Sequence, residues 1–297
     1  MPAPAPLVPP TVDVPHLHDA VLGWFAVHAR DLPWRSPDCS PWGVLVSEIM
    51  LQQTPVVRVL PRWREWLERW PTPADLAVAP TADVLTAWDR LGYPRRALRL
   101  KECAQVIVDE HGGEVPEDVD KLLALPGIGD YTARAVACFA YGKNVPVVDT
   151  NVRRVVARVE RGEALGAPGK KEIEQVAALL PAENGPEFSV GLMELGALVC
   201  TARAPKCEKC PVSSECAWLT AGKPEAEVKK RTQKFVGTDR QVRGKIMRLL
   251  RESESPVEQK LIDALWHDPA QLSRALFSLL EDGLAEQDEK GYFHLPR

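Results

Sequence analysis

Residues Leu122 to Asp149 read LLALPGIGDYTARAVACFAYGKNVPVVD. The segment LPGIG, Leu125 to Gly129, predicts a tight turn between two short helices, because Gly127 and Gly129 tolerate backbone conformations and close approach that a side chain blocks. That freedom leaves backbone amides pointing outward, a geometry suited to a phosphate. On the second helix Ala133, Val136, Ala137 and Ala140 recur at i, i+3, i+4 and i+7 and form one apolar face. A Gly-containing helix–turn–helix taken alone is equally an ordinary packing device. Asp149 adds something else: it follows Gly129 by twenty positions and precedes Thr150, Asn151, Arg153 and Arg154, where it can cap a helix, present a carboxylate, or do both.

Outward from this segment the pattern stays helical. Residues 16 to 141 read as consecutive helices separated by Pro/Gly punctuation such as DLPWRSPDCSP and WPTPADL. Trp63, Trp66 and Trp70 recur at helical spacing and are expected in the core. Further helix is expected over 150 to 200. Composition turns polar and charged between Gly222 and Asp239, which reads as a linker. The remainder reads as three helices followed by two short strands turned at Asp288 to Gly291, the pattern of a winged-helix unit. The expected fold class is therefore all-α: a two-lobed core over 16–222, a Pro/Ala tail at 1–15, a linker at 223–239 and a winged-helix-like unit at 240–297.

Composition bounds the function. The 297 residues are 45% hydrophobic and 26% charged, a globular balance. The start MPAPAPLVPP has neither a basic nor an apolar signal segment, and no run approaches a membrane span, so a cytoplasmic location is expected. The net charge of −4 lacks the basic footprint of many nucleic-acid binders. Any such contact must be local, and Lys229 to Arg248, with eight Lys/Arg against Asp239, is the richest stretch.

Four of seven cysteines, Cys200, Cys207, Cys210 and Cys216, fall as C-x6-C-x2-C-x5-C. Four thiolates hold zinc or a 4Fe-4S cluster equally well by softness. Zinc sites usually show two C-x2-C pairs; the single pair here favours the 4Fe-4S cluster, with zinc as the alternative. Cys39, Cys103 and Cys138 are isolated and read as small buried hydrophobes.

Hairpin, downstream Asp and cysteine spacing together resemble the helix-hairpin-helix base-excision DNA glycosylases that carry an iron–sulfur loop. The resemblance covers about residues 20 to 220. Within that frame SEIMLQQT (Ser47 to Thr54), DLPWR (Asp31 to Arg35) and ELGALVC (Glu194 to Cys200) resemble the adenine glycosylases. The endonuclease III branch carries a Schiff-base lysine after the hairpin; here the position is Tyr131. Tyrosine cannot form an imine, so the resemblance implies base removal without an efficient lyase step.

The resemblance assigns further roles. Cleaving an N-glycosidic bond places positive charge on the sugar and negative charge on the base, which calls for a carboxylate near the one and an acid near the other. Asp149 takes the first role, with Asn151 beside it. Glu48 takes the second, on a helix apolar almost all round, where burial is expected to raise its pKa. Gln53 and Tyr93 resemble wedge residues for base extrusion. Thr54 and Leu91 are expected near the opposing base, Arg30, Trp34 and Arg35 on the adenine side, and Gly127 and Gly129 at a phosphate. The implied substrate is duplex DNA with adenine opposite 8-oxoguanine or guanine, and the implied state is a monomer. Where the family commonly has Gly-Leu-Gly-Tyr-Tyr, this chain has Arg90, Leu91, Gly92, Tyr93 and Pro94. Where many members carry a larger Nudix-like domain, residues 240–297 here read as a winged-helix-like unit, and a different means of meeting the opposing base is expected. Two rival readings are a glycosylase-lyase on oxidised pyrimidines and a non-enzymatic iron–sulfur regulator reading DNA through Pro269 to Asp282. That segment offers only Arg274 beside Glu281 and Asp282, a poor match for phosphates.

Overall fold

Proline and glycine set the helix boundaries. In the computed structural model, which describes residues 12–165, 170–225 and 235–297, Pro residues open many helices and left-handed glycines close α6, α8 and α9 below. The helices are α1 Val14–His28, α2 Pro41–Leu51, α3 Val56–Arg69, α4 Pro73–Ala77, α5 Thr81–Trp88, α6 Arg95–His111, α7 Val119–Ala124, α8 Asp130–Tyr141, α9 Thr150–Arg161, α10 Lys170–Ala178, α11 Gly185–Leu198, α12 Ala217–Thr220, α13 Asp239–Glu252, α14 Gln259–Asp263 and α15 Pro269–Glu281. Glycines Gly112, Gly142 and Gly162 take the left-handed cap of α6, α8 and α9. Residues 1–11 of the expected tail, 226–234 of the expected linker and the basic Lys229–Lys234 lie outside the described residues.

The chain forms two compact units that cut across sequence order. One is drawn from Met1–Val44, Glu117–Leu123 and Gly129–Lys229, the other from Leu45–Pro116, Ala124–Ile128 and Lys230–Arg297. In the first, the valine stripe of α9 (Val152, Val155, Val156, Val159) packs with Leu17 and Val21 of α1 and with Phe188, Leu192 and Leu195 of α11. Close approach needs small residues: a Cβ on Gly191 would lie 2.9 Å from Val21, and one on Gly196 2.7 Å from Cβ of Asn151.

The second unit is built on tryptophans. Trp66 meets Trp70 at 4.6 Å and Trp88 at 5.6 Å between ring centroids, both edge-to-face, and Trp63, Trp66 and Trp70 are all buried. Its C-terminal part forms the expected three helices and hairpin: β1 Glu286–Gln287 pairs antiparallel with β2 Phe293–His294, and Gly291 closes the turn by donating to the Asp288 carbonyl at 2.9 Å. Val257 adds a bridge to Phe293. Among the described residues, no helix is long and apolar enough to cross a membrane.

Candidate active site and cysteine loop

Asp149 is the N-cap of α9. Its Oδ1 accepts from the backbone N–H of Asn151 at 2.8 Å and of Val152 at 2.7 Å, and its Oδ2 accepts from Asn151 Nδ2 at 2.7 Å. Desolvation raises its pKa above the ordinary carboxylate value, against the Val152 and Asn151 bonds and the charge of Arg154, which pull down. The carboxylate is thus oriented by three donors yet poorly hydrated, a state in which its charge acts strongly on a nearby cation.

A second set of contacts backs this cap. Arg154 is buried; its Nη2 donates to Asn151 Oδ1 at 2.7 Å and to the Gly196 carbonyl at 2.7 Å, and its Nε donates to the Cys200 carbonyl at 2.6 Å. One turn on, buried Arg158 donates from Nη1 to Cys200 Sγ at 3.3 Å and to the Thr201 carbonyl at 2.9 Å, while its guanidinium stacks 4.2 Å from the Trp218 ring centre. The two arginines escaped the sequence reading. Their signal was positional: 154 and 158 stand four apart, on the flank of the valine stripe, where buried cations demand acceptors.

Cys200, Cys207, Cys210 and Cys216 line one cavity with Arg158, Leu195 and Trp218. Among the described residues no three His, Cys, Asp or Glu side chains converge closely enough to hold a single metal ion. Four thiols around a common space are a donor set that a metal group can take. Burial, the largest effect, pushes the Cys210 thiol up to about 11 and that of Cys216 up as well, so thiolates here need a positive partner. Cys103 and Cys138 are buried and unreactive in character, the former thiol pushed by burial to about 12.

The hairpin forms as expected. Ile128 N–H donates to the Leu125 carbonyl at 3.2 Å, and Gly127 adopts φ +77°, where a Cβ would also strike Cβ of Arg99 at 2.9 Å. Gly129 is the N-cap of α8. Tyr131 follows in its first turn and packs on the small cluster of Ala135, Cys138 and Val147.

Arg30 and Arg35 come together on Glu194 of α11. Glu194 is fully buried, and Arg30 donates to it from Nε and Nη2, both at 2.7 Å, and from its backbone N–H at 3.0 Å; Arg35 Nη2 adds a bond at 2.8 Å. Burial alone would raise the Glu194 pKa, but the Arg30 and Arg35 bonds hold it at about 2. The two arginines are therefore committed to this carboxylate, and Trp34 is buried. In the sequence Glu194 stands at the head of ELGALVC, with nothing there to show that Arg30 and Arg35 share its carboxylate.

Residues 42 to 50 of α2 are all buried, so Glu48 sits in an apolar helix as expected. Thr54 and Leu91 are brought together: Thr54 Oγ1 donates to the Leu91 carbonyl at 3.2 Å, and both residues are buried. What this pair presents outward is Gln53 and Tyr93. Both take left-handed backbone, φ +55° and +47°, which non-glycine residues adopt rarely and under constraint. The constraint is Arg96, which sequence reading missed among the arginines of PRRALR. Its Nη1 donates to the carbonyls of Ile49 (2.8 Å) and Gln52 (2.7 Å), and its Nη2 to Gly92 O (3.1 Å) and Thr54 Oγ1 (3.2 Å). Burial lowers its pKa to about 10, still charged near neutrality.

The sequence of residues 46–182 matches the HhH-GPD superfamily of base excision DNA repair proteins. The chain is 57% identical to an adenine DNA glycosylase of Mycolicibacterium smegmatis, covering 93% of this chain and 94% of that one. It is 55% identical to an adenine DNA glycosylase of Mycobacterium tuberculosis, covering 97% and 96%. Its fold resembles that of a thermostable thymine-DNA glycosylase, with TM-score 0.65 and 31% identity over 70% of this chain and 97% of that one. The chain belongs to the adenine DNA glycosylase family of helix-hairpin-helix base-excision enzymes, hydrolases of N-glycosyl bonds in DNA.

Proposed function

We propose that this chain is a monofunctional glycosylase that removes adenine opposite 8-oxoguanine or guanine in duplex DNA, acting as a monomer in the bacterial cytoplasm. The observation that carries it is Asp149, a desolvated carboxylate oriented by three donors at a helix start. Asp149 stabilises the positive charge that develops on the sugar as the C1′–N bond breaks. Asn151 holds that carboxylate in register. Glu48, buried on α2, gives its proton to a ring nitrogen as the bonding pair leaves with the base. Water then adds at C1′ and returns a proton, leaving free adenine and an abasic site. Tyr131 occupies the position after the hairpin and offers no amine, which supports hydrolysis without strand cleavage.

Extrusion precedes chemistry. Gln53 and Tyr93, exposed on left-handed backbone, fill the vacated stack, with Thr54 and Leu91 fixing their loops beside the opposing base. Arg30 and Arg35, gathered on Glu194, form the adenine side with Trp34. Gly127 and Gly129 present backbone amides to a phosphate. Cys200, Cys207, Cys210 and Cys216 hold a 4Fe-4S cluster, which supplies folding free energy and ties the loop.

The test is a duplex assay with adenine opposite 8-oxoguanine, guanine or cytosine, with and without alkali, for wild type and Asp149→Asn. Adenine release from the two mispairs, strand breaks only after alkali, and no borohydride-trapped adduct are expected. Absence of adenine release from every duplex, or a trapped adduct, removes the reading.

A further inference from the structure

The C-terminal helices carry little that reads DNA. Arg274, the sole cation of α15, is paired with Asp239 at 2.9 Å, and Asp282 just past its end is held by Arg95 at 3.2 Å and Arg243 at 2.6 Å. The first and last of these pairs join the C-terminal helices to one another, and the Arg95–Asp282 pair links them to the start of α6, immediately after the loop 89–94. That loop is itself constrained: Asp89 sits at φ +43° with its carboxylate on Arg62 at 2.8 Å, and Trp88 Nε1 donates to the Gly92 carbonyl at 2.9 Å.

One cation of α13 behaves differently. Arg240 makes no salt bridge among the described residues; its guanidinium instead lies 4.6 Å from the Tyr93 ring centre and 5.8 Å from that of Phe235. Arg96 approaches the same Tyr93 ring at 5.7 Å. Tyr93 thus has two guanidinium groups close to its ring, one from the following helix α6 and one from the C-terminal helices, although the residue is 42% exposed. An exposed ring on strained backbone has every entropic reason to wander. A planar cation packed on its face opposes that freedom.

We propose that Arg240 is a positioning residue for base extrusion, preorganising the Tyr93 wedge from the C-terminal helices. The proposal rests on the wedge role given to Tyr93 above. It gives the C-terminal helices a task that needs no recognition helix: they lower the ordering entropy of the residue that enters the base stack.

The experiment uses the full chain and a duplex in which 2-aminopurine, fluorescent when unstacked, neighbours an adenine:8-oxoguanine pair carrying a cleavage-resistant 2′-fluoro adenosine. Arg240→Ala is expected to reduce the unstacked fraction and the kcat/KM for adenine release from the cleavable duplex by about two- to five-fold, the worth of one exposed cation–π contact. Arg240→Lys recovers part of the loss. In a Tyr93→Ala background, Arg240→Ala adds nothing. Circular dichroism and melting of each variant report folding independently. Equal effects of Arg240→Ala in both backgrounds, or none in the wild type, overturn the proposal. Wild type that releases no adenine removes the proposed function instead, and the fluorescence comparison still decides the role of Arg240.

Discussion

Arg154 and Asn151 share one hydrogen bond, 2.7 Å from Nη2 to Oδ1, and through it the cysteine loop touches the cap of α9. The other donors of Arg154 end on the Thr150, Gly196 and Cys200 carbonyls, so the side chain orients Asn151, which in turn orients Asp149. Removing it strips donors from several buried acceptors, each worth about 1–3 kcal/mol. Arg154→Ala is expected to lose about 2–4 kcal/mol of stability and to slow single-turnover base release at least tenfold. Arg154→Lys, with one compact ammonium for four acceptors, should restore part of the stability and little of the rate. Denaturant melts run beside single-turnover kinetics check both.

Asp149 separates two roles in one side chain. Asn retains the Oδ1 acceptor for the Val152 and Asn151 N–H groups, so Asp149→Asn is expected to keep the cap while base release falls by about 10²–10³-fold. The pH dependence has a definite sign. Because burial raises the folded pKa above the ordinary 3.8, the neutral carboxyl is the form the fold favours. Its contribution is complete below the unfolded pKa and is lost as pH rises through the folded value. Relative to wild type, Asp149→Asn should therefore gain stability as pH rises above the ordinary 3.8 and through the folded value. Melting both proteins across that range measures it.

The elements of the site that rest on local spacing were readable before any coordinates. LPGIG needs a left-handed residue where Gly127 has φ +77°, the run around Glu48 is apolar on every side, and four cysteines in one loop are hard to explain otherwise. Arg96, Arg154, Arg158 and Glu194 were not readable. Each is a charge inside a segment that otherwise looks like a solvated helix edge or a plain apolar face. Each is satisfied by partners more than forty residues away for the arginines, such as Arg96 with the Ile49 carbonyl and Arg154 with that of Cys200. Periodicity reports which face of a helix is apolar; it carries no information on which distant carbonyl will meet a buried cation.

Glu194 gives the opposite pH behaviour. Its folded pKa, about 2 against an ordinary 4.5, means that its stabilisation is complete above the unfolded value and is lost as pH falls through about 2. The carboxylate is fully buried, so the shift converts to stability on the order of 3 kcal/mol. Glu194→Gln should be destabilised by that order near neutrality, and the gap from wild type should close in the window between 4.5 and about 2. Urea midpoints at stepped pH trace the closure. A gap constant with pH would mean that packing of the side chain, not its charge, holds Arg30 and Arg35.

The cysteine loop makes the last prediction, because its thiols are raised by burial and must still be held as thiolates for any metal group. The nearest compensating charge is Arg158, 3.3 Å from Cys200 Sγ and pinned by Trp218 and the Thr201 carbonyl. Purified protein is expected to carry about four irons per chain, against about one zinc for the tetrahedral alternative. Cys210→Ser should lose most of the metal. Arg158→Met keeps the stem and the packing on Trp218 but removes the donors, so metal retention should fall while the apolar core of α9 stays folded. Elemental analysis with visible absorption reads the first effect and helical circular dichroism the second. Full iron in Arg158→Met would show that the four thiols alone hold the group, leaving Arg158 a purely structural cation.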